Sequence, residues 1–176
     1  MKSTLLSSML VLFTGIFMGG GHLSAAGKTT GSMSRADKVF STKAAAGGIA
    51  EVQFGELALK NASSSDVKKF AQKMVDDHGK ANDKLKSIAS KDNITVPSDM
   101  DAKEKATYNR LSKLQGSDFD RAYMQDMVKD HKTDVAEFQK EANSGTQSDL
   151  KNFASETLPT LQQHLKMAEE TAGKVK

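Results

Sequence analysis

Four histidines and no cysteine occur in the 176 residues. Three of them, His78, His131 and His164, fall one to each of three separate helical stretches, among apolar residues. Met74 and Met127 stand one helical turn before His78 and His131, and Met167 stands beside His164. Neutral imidazole and carboxylate oxygen together suit Zn, Cu, Ni or Fe, and a thioether would favour Cu(I). The ligand set this suggests is Glu51, His78, His131 and His164, with Met74 and Met127 as accessory donors and Cu or Zn as the ion. Asp77 and Asp130 directly precede two of the histidines, where they can accept from imidazoles of neighbouring helices and orient them. The preferred reading of the same residues has no metal, and the ligand set is its alternative. A buried His needs a partner for its N–H, and Glu51 or an aspartate supplies one. The cluster is then a satisfied polar layer fixing helix register, and the methionines are core filler.

Both readings need four helices of matched length. Apolar residues recur at three-and-four spacing, which places them on single helical faces. The spacing predicts helices over 35–61, 64–90, 99–114, 118–143 and 147–173. Four are long; the third is a short element in the crossover. The pattern Ser/Thr-x-x-Asp recurs at Ser34/Asp37, Ser63/Asp66, Ser98/Asp101, Ser117/Asp120 and Thr146/Asp149 and marks five helix starts. Asn61 to Ser65 reads as a tight link, and Lys91 to Pro97 as a longer break. Pro159 removes an N–H from the last helix, which predicts a kink there. No alternating strand pattern or Asn-Gly or Asp-Gly hairpin signal accompanies these segments. The fold class expected is all-α, an antiparallel four-helix bundle.

At 100° per residue, His78 lies about 20° from the centre of the stripe Val67/Met74/Leu85, and His131 is similarly central between Met127 and Val135. His164 lies about 60° off its stripe, still within the apolar arc. In the first helix Ala36, Val39, Phe40, Ala50, Phe54, Leu57 and Ala58 define an inward arc that includes Glu51. Glu56, about 140° away, faces outward. Each of Glu51, His78, His131 and His164 is within about four residues, or about 6 Å of rise, of its helix midpoint. Face and height together predict one central layer. Tyr123, near that layer, is expected to be a core residue reaching the rim.

Composition bounds the function. Lys2, the apolar run Leu5–Met18, the Gly19-Gly20-Gly21 break and the small residues Ser24-Ala25-Ala26 read as a secretory signal over 1–26, cleaved after Ala26. The run is too short to span a bilayer comfortably. The Gly, Ser and Thr of 27–33 predict a flexible leader, and 34–173 the bundle domain. Export places the protein in the periplasm or at the outer membrane, with an envelope partner left open. Loss of Lys2 with the signal takes the formal charge from +3 to +2, no basic field for nucleic acid. Without cysteine there is no disulfide, thiolate or lipoprotein anchor. Gly-rich phosphate loops and the Gly-x-Ser-x-Gly elbow are absent, so no catalytic residue, organic cofactor or reaction is identified.

Phe70-x-x-x-Met74-Val75-x-Asp77-His78 recurs as Tyr123-x-x-x-Met127-Val128-x-Asp130-His131. With Ala50-Glu51-Val52-x-x-Gly55-x-Leu57-Ala58, Phe119-Asp120-x-x-Tyr123 and Leu158-Pro159-x-x-x-x-His164-Leu165, this resembles an exported bacterial family known as domain of unknown function 4142, over roughly residues 34–172. The resemblance implies a ferritin-like bundle with a long crossover and implies no activity. Di-iron proteins of ferritin-like fold use Glu-x-x-His on two helices plus a Glu on each of the others. No Glu in this chain has a His three residues later, so a ferroxidase-type centre is not expected.

Overall fold

A computed structural model describes residues 33–175. The signal and most of the leader expected over residues 1–32 lie outside the described residues. Five helices occur in order: α1 Arg35–Asn61, α2 Ser65–Asp92, α3 Ala102–Leu111, α4 Gly116–Ser144 and α5 Ser148–Lys174. None of them is long and apolar enough to cross a membrane. The protein is an all-α, antiparallel four-helix bundle with a short helix in the crossover. α1 packs along α2, α4 along α5, and the two hairpins meet through α1/α4 and α2/α5. Ion pairs fix the directions: Lys43 on α1 meets Glu137 on α4, and Lys91 at the end of α2 meets Asp149 at the start of α5. Every adjacent pair therefore runs antiparallel, and the α2–α4 connection must travel the length of the bundle. That up-down-down-up order is the ferritin-like arrangement.

Two aspartates join the hairpins. Asp37, near the start of α1, accepts from the backbone N–H of Thr146 at 3.0 Å and of Gln147 at 3.2 Å, and from the Thr146 hydroxyl. Asp120, near the start of α4, accepts from the Ser63 and Ser64 N–H groups at 3.2 and 2.9 Å and from the Ser63 hydroxyl at 2.6 Å. Each helix pair thus has its loop held by the other pair. These contacts correct the expected caps. Only Ser34 caps as predicted, in a capping box with Asp37. The Ser63 and Thr146 hydroxyls are taken by the aspartates, so Ser64 caps α2 and the Gln147 side chain caps α5. Asp101, not Ser98, caps α3, and Gln115 precedes α4 without a side-chain cap. Turning Asp37 inward also turns the first turn of α1, leaving Val39 exposed where the stripe had placed it inside.

α3 is shorter than expected at both ends. Asp101 and Glu104 form a capping box that starts it late. At the other end tight turns take over as Leu111 enters the core. α5 continues unbroken across Pro159, which lies on the exposed face with Ser155.

Apolar burial forms two clusters. One holds Phe54, Phe70, Met74, Phe119, Tyr123 and Met127, the other Phe40, Leu85, Phe138, Leu150, Phe153 and Leu161. Along α2, α4 and α5 the change from one cluster to the other comes at His78, His131 and His164. Along α1 it comes at Gly47-Gly48. A Cβ on Gly48 would displace the Asn82 side chain, and α1 approaches the α2 backbone closely at Gly55, where a Cβ would stand 2.9 Å from the Ala71 carbonyl oxygen.

Candidate metal centre

The three histidines converge. His78, His131 and His164 are 6%, 0% and 1% exposed. Their ring centroids lie 5.7, 5.3 and 5.5 Å apart for the pairs 78–131, 78–164 and 131–164. Each ring offers a nitrogen such that the three nitrogens lie within 4.8 Å of one another. Three nitrogens at about 2.0–2.1 Å from one tetrahedral ion would stand roughly 3.4 Å apart, so the rings need close by only about 1 Å or slightly more.

Hydrogen bonds fix which nitrogen is free in His131 and His164. His131 Nδ1 lies 2.9 Å from the Met127 carbonyl. A carbonyl only accepts, so Nδ1 carries the proton and Nε2 keeps a lone pair. His164 Nε2 lies 2.9 Å from Asp77 Oδ2. Burial works to raise the Asp77 carboxyl, but hydrogen bonds from Lys73 and His164 outweigh it and hold the group below its ordinary value. Asp77 is therefore an ionised acceptor, and His164 Nδ1 keeps the lone pair. His78 Nε2, His131 Nε2 and His164 Nδ1 are all buried without a hydrogen-bond partner among the described residues.

Electrostatics keep the rings neutral. Burial pushes His131 down to about 4, with His164 adding to the shift and the Met127 carbonyl opposing it. Burial also holds His78 well below its usual value, aided by His131 and His164. His164 is lowered by burial against the pull of Asp77. Three uncharged imidazoles at neutral pH are a ligand set ready for a cation.

Glu51 takes a different place. It is 3% exposed, and its Oε1 lies 3.7 Å from His131 Nδ1, the nitrogen that faces Met127. Burial, then repulsion from Asp134 and Asp130, raises its carboxyl well above the usual range, and Oε2 has no partner among the described residues. It stands behind His131 and also lines a cavity of about 150 Å³ between α1, α3 and α4. Glu56 is exposed. Met74 and Met127 are fully buried in the larger apolar cluster, with Met167 packed against it. Asp77 makes the orienting contact expected of it, whereas Asp130 lines the cavity. Tyr123 does not reach the rim: it is fully buried, and its hydroxyl has no partner among the described residues.

A family model described as domain of unknown function (DUF4142) matches residues 22–171. The chain belongs to this family. No curated protein matches. The DUF4142 chain is similar to the crystal structure of a DUF305 fragment from Deinococcus radiodurans, with a TM-score of 0.70 and 11% identity, over 81% of this chain and 98% of that one. At that identity the likeness shows the fold alone.

Sequence reading missed the acidic wall of the DUF4142 cavity, chiefly Glu104 and Asp134. Asp130 and Asp134 are four apart and share a face of α4. Glu104 joins them only because the crossover helix runs over α1 and α4, and the apolar spacing of α3 does not say where it docks.

Proposed function

We propose that this DUF4142 protein is an exported envelope protein that holds a transition metal ion, Zn or Cu, through His78, His131 and His164. The observation that carries the reading is the set of buried nitrogens without protein partners, one on each of three converging rings. A polar layer built for helix register would pair them, because each buried unsatisfied group costs about 1–3 kcal/mol. One cation accepts all three lone pairs at once. The two outer contacts support it further: Asp77 and the Met127 carbonyl fix tautomers that leave His164 Nδ1 and His131 Nε2 as donors. The rings are buried among packed helices, with only His78 touching a small pocket, which suits holding an ion rather than presenting it to a substrate. Three imidazoles without thiolate suit Zn and Cu, and the buried Met74 and Met127 serve as core.

Titration of the protein with Zn and with Cu, followed by calorimetry, tests this. We expect one-to-one binding that His131→Ala abolishes. Weak binding that persists in His131→Ala would restore the polar-layer reading. Export rests on Lys2, the apolar run and Ser24-Ala25-Ala26. The mass of protein from its source should begin at Gly27; a mass that retains Met1 to Met18 would indicate an anchor.

A further inference from the structure

The cavity between α1, α3 and α4 is lined by six carboxylates and two lysines, and the histidine centre uses none of the carboxylates as a ligand. Two are already engaged. Glu137 pairs with Lys43, and Asp101 accepts from the Glu104 N–H at 2.8 Å to cap α3. Four remain: Glu51 from α1, Glu104 from α3, and Asp130 and Asp134 from successive turns of α4. Acidic residues near one another are common on protein surfaces, but Glu51 is not on the surface. It is 3% exposed, it lines the cavity, and its Oε2 is buried without a partner among the described residues. Glu104 commits one oxygen, Oε2, to the Asp101 N–H. Its other oxygen, Oε1, lies over α1, 3.8 Å from where a Cβ on Gly47 would stand. Gly47 and this Glu104 oxygen both border the cavity.

Among the described residues only the three histidines bring three ligand atoms within 4.8 Å of one another, so an ion between the cavity's carboxylates is held partly through its own waters. About 150 Å³ is room for an ion that keeps several of its waters, since one water occupies about 30 Å³ of liquid. Carboxylate oxygens with no nitrogen or sulfur donor select hard divalent ions. Asp134 is pushed up to about 7 by burial and by the charges of Asp130, Glu137 and Glu104, the mutual repulsion that a dication relieves. We propose that Glu51, Glu104, Asp130 and Asp134 form an oxygen-donor site for a partly hydrated divalent cation in this cavity, separate from the histidine centre. The site does not depend on the histidines binding metal.

The test uses Mn2+ with the intact chain, with free Mn2+ followed by electron paramagnetic resonance. Wild-type protein should remove the free-ion signal in a one-to-one manner. Glu104→Gln/Asp134→Asn should weaken binding at least about tenfold, because affinity at such sites follows the number of charged ligands. Gln retains the capping box at 104, and far-UV circular dichroism checks the fold. The exposed Lys103→Gln, which cannot damage the core, should tighten binding by roughly two- to fivefold by removing a nearby cation. A triple His78→Ala/His131→Ala/His164→Ala variant should keep its Mn2+ affinity. No Mn2+ binding by the wild type, or binding unchanged in both carboxylate and Lys103 variants, overturns the proposal. Mn2+ binding that disappears with the histidines overturns its separateness. Neither result bears on Zn or Cu binding, which the histidine variants report independently.

Discussion

Two kinds of buried polar cluster lie within this bundle, and they are finished differently. At the joints, Asp37 and Asp120 are buried carboxylates that accept from the backbone and hydroxyls of the opposite hairpin's loop. Hydrogen bonds from Thr146 and Ser34 outweigh burial and hold Asp37 at about 2. At the central layer three imidazoles are equally buried, yet each keeps a nitrogen that no described residue reaches. The aspartates at the joints are closely paired, whereas the imidazoles in the middle are left open, as is Glu141 Oε1 beside Asp37. The joints are spaced alike, Asp37 to Asp120 and Ser63 to Thr146 both being 83 residues apart, so each hairpin repeats the device. The histidines do not follow that spacing. We read the joints as the protein's own architecture and the layer as a place for a ligand.

The comparison breaks if the joints are dispensable. Asp120→Ala strands the Ser63 and Ser64 N–H groups and should cost about 2–3 kcal/mol, measured by urea unfolding. A loss near zero would mean the hairpins are joined by apolar packing alone. At the layer, Asp77→Asn should lower metal affinity about 10- to 100-fold while leaving the metal-free protein folded, because it misorients His164. Competition with a chelator of known affinity measures this, and an unchanged affinity would remove Asp77 from the centre.

The sharpest contrast between joint and layer comes from His78→Leu. Without metal this change should leave stability unchanged or raise it by up to about 3 kcal/mol, since it strands no protein partner and removes an unpartnered Nε2. A loss as large as that of Asp120→Ala would show a layer held together by its own hydrogen bonds. The smallest effect concerns Glu141, which lies close to Asp37. Burial and then the Asp37 charge push its carboxyl up to about 7 from an ordinary 4.5. The native state therefore holds a proton that the unfolded chain has released between these values, so this group costs stability as pH rises from 4.5 to 7. Glu141→Gln should raise the thermal midpoint at pH 8 and leave it unchanged at pH 4. An equal shift at both pH values would remove the titration from the account.

Much of this was legible in the residues. The four long helices fall within two residues of their expected ends, because their apolar stripes and breaks are local signals. The three histidines met because face and height are both set by helical periodicity, which survives packing. The caps were less legible. Ser63 and Thr146 have the right type and spacing, but an aspartate from another helix claims each hydroxyl, and that competition is tertiary. Glu51 was placed on the correct face of α1, yet spacing could not say that it would stand on the Met127 side of His131. The acidic cavity was invisible for a related reason: its wall includes the crossover helix, whose docking depends on Leu111 entering the core from an otherwise polar segment.

The central claim is that three imidazole nitrogens share one ion. X-ray absorption fine structure of the Zn- or Cu-loaded protein reads that shell directly. Three nitrogen scatterers at about 2.0–2.1 Å, with the outer scattering of imidazole rings and loss of the ring signal in His131→Ala, are the result expected. A shell of oxygens without imidazole scattering would contradict it and place the metal elsewhere on the protein.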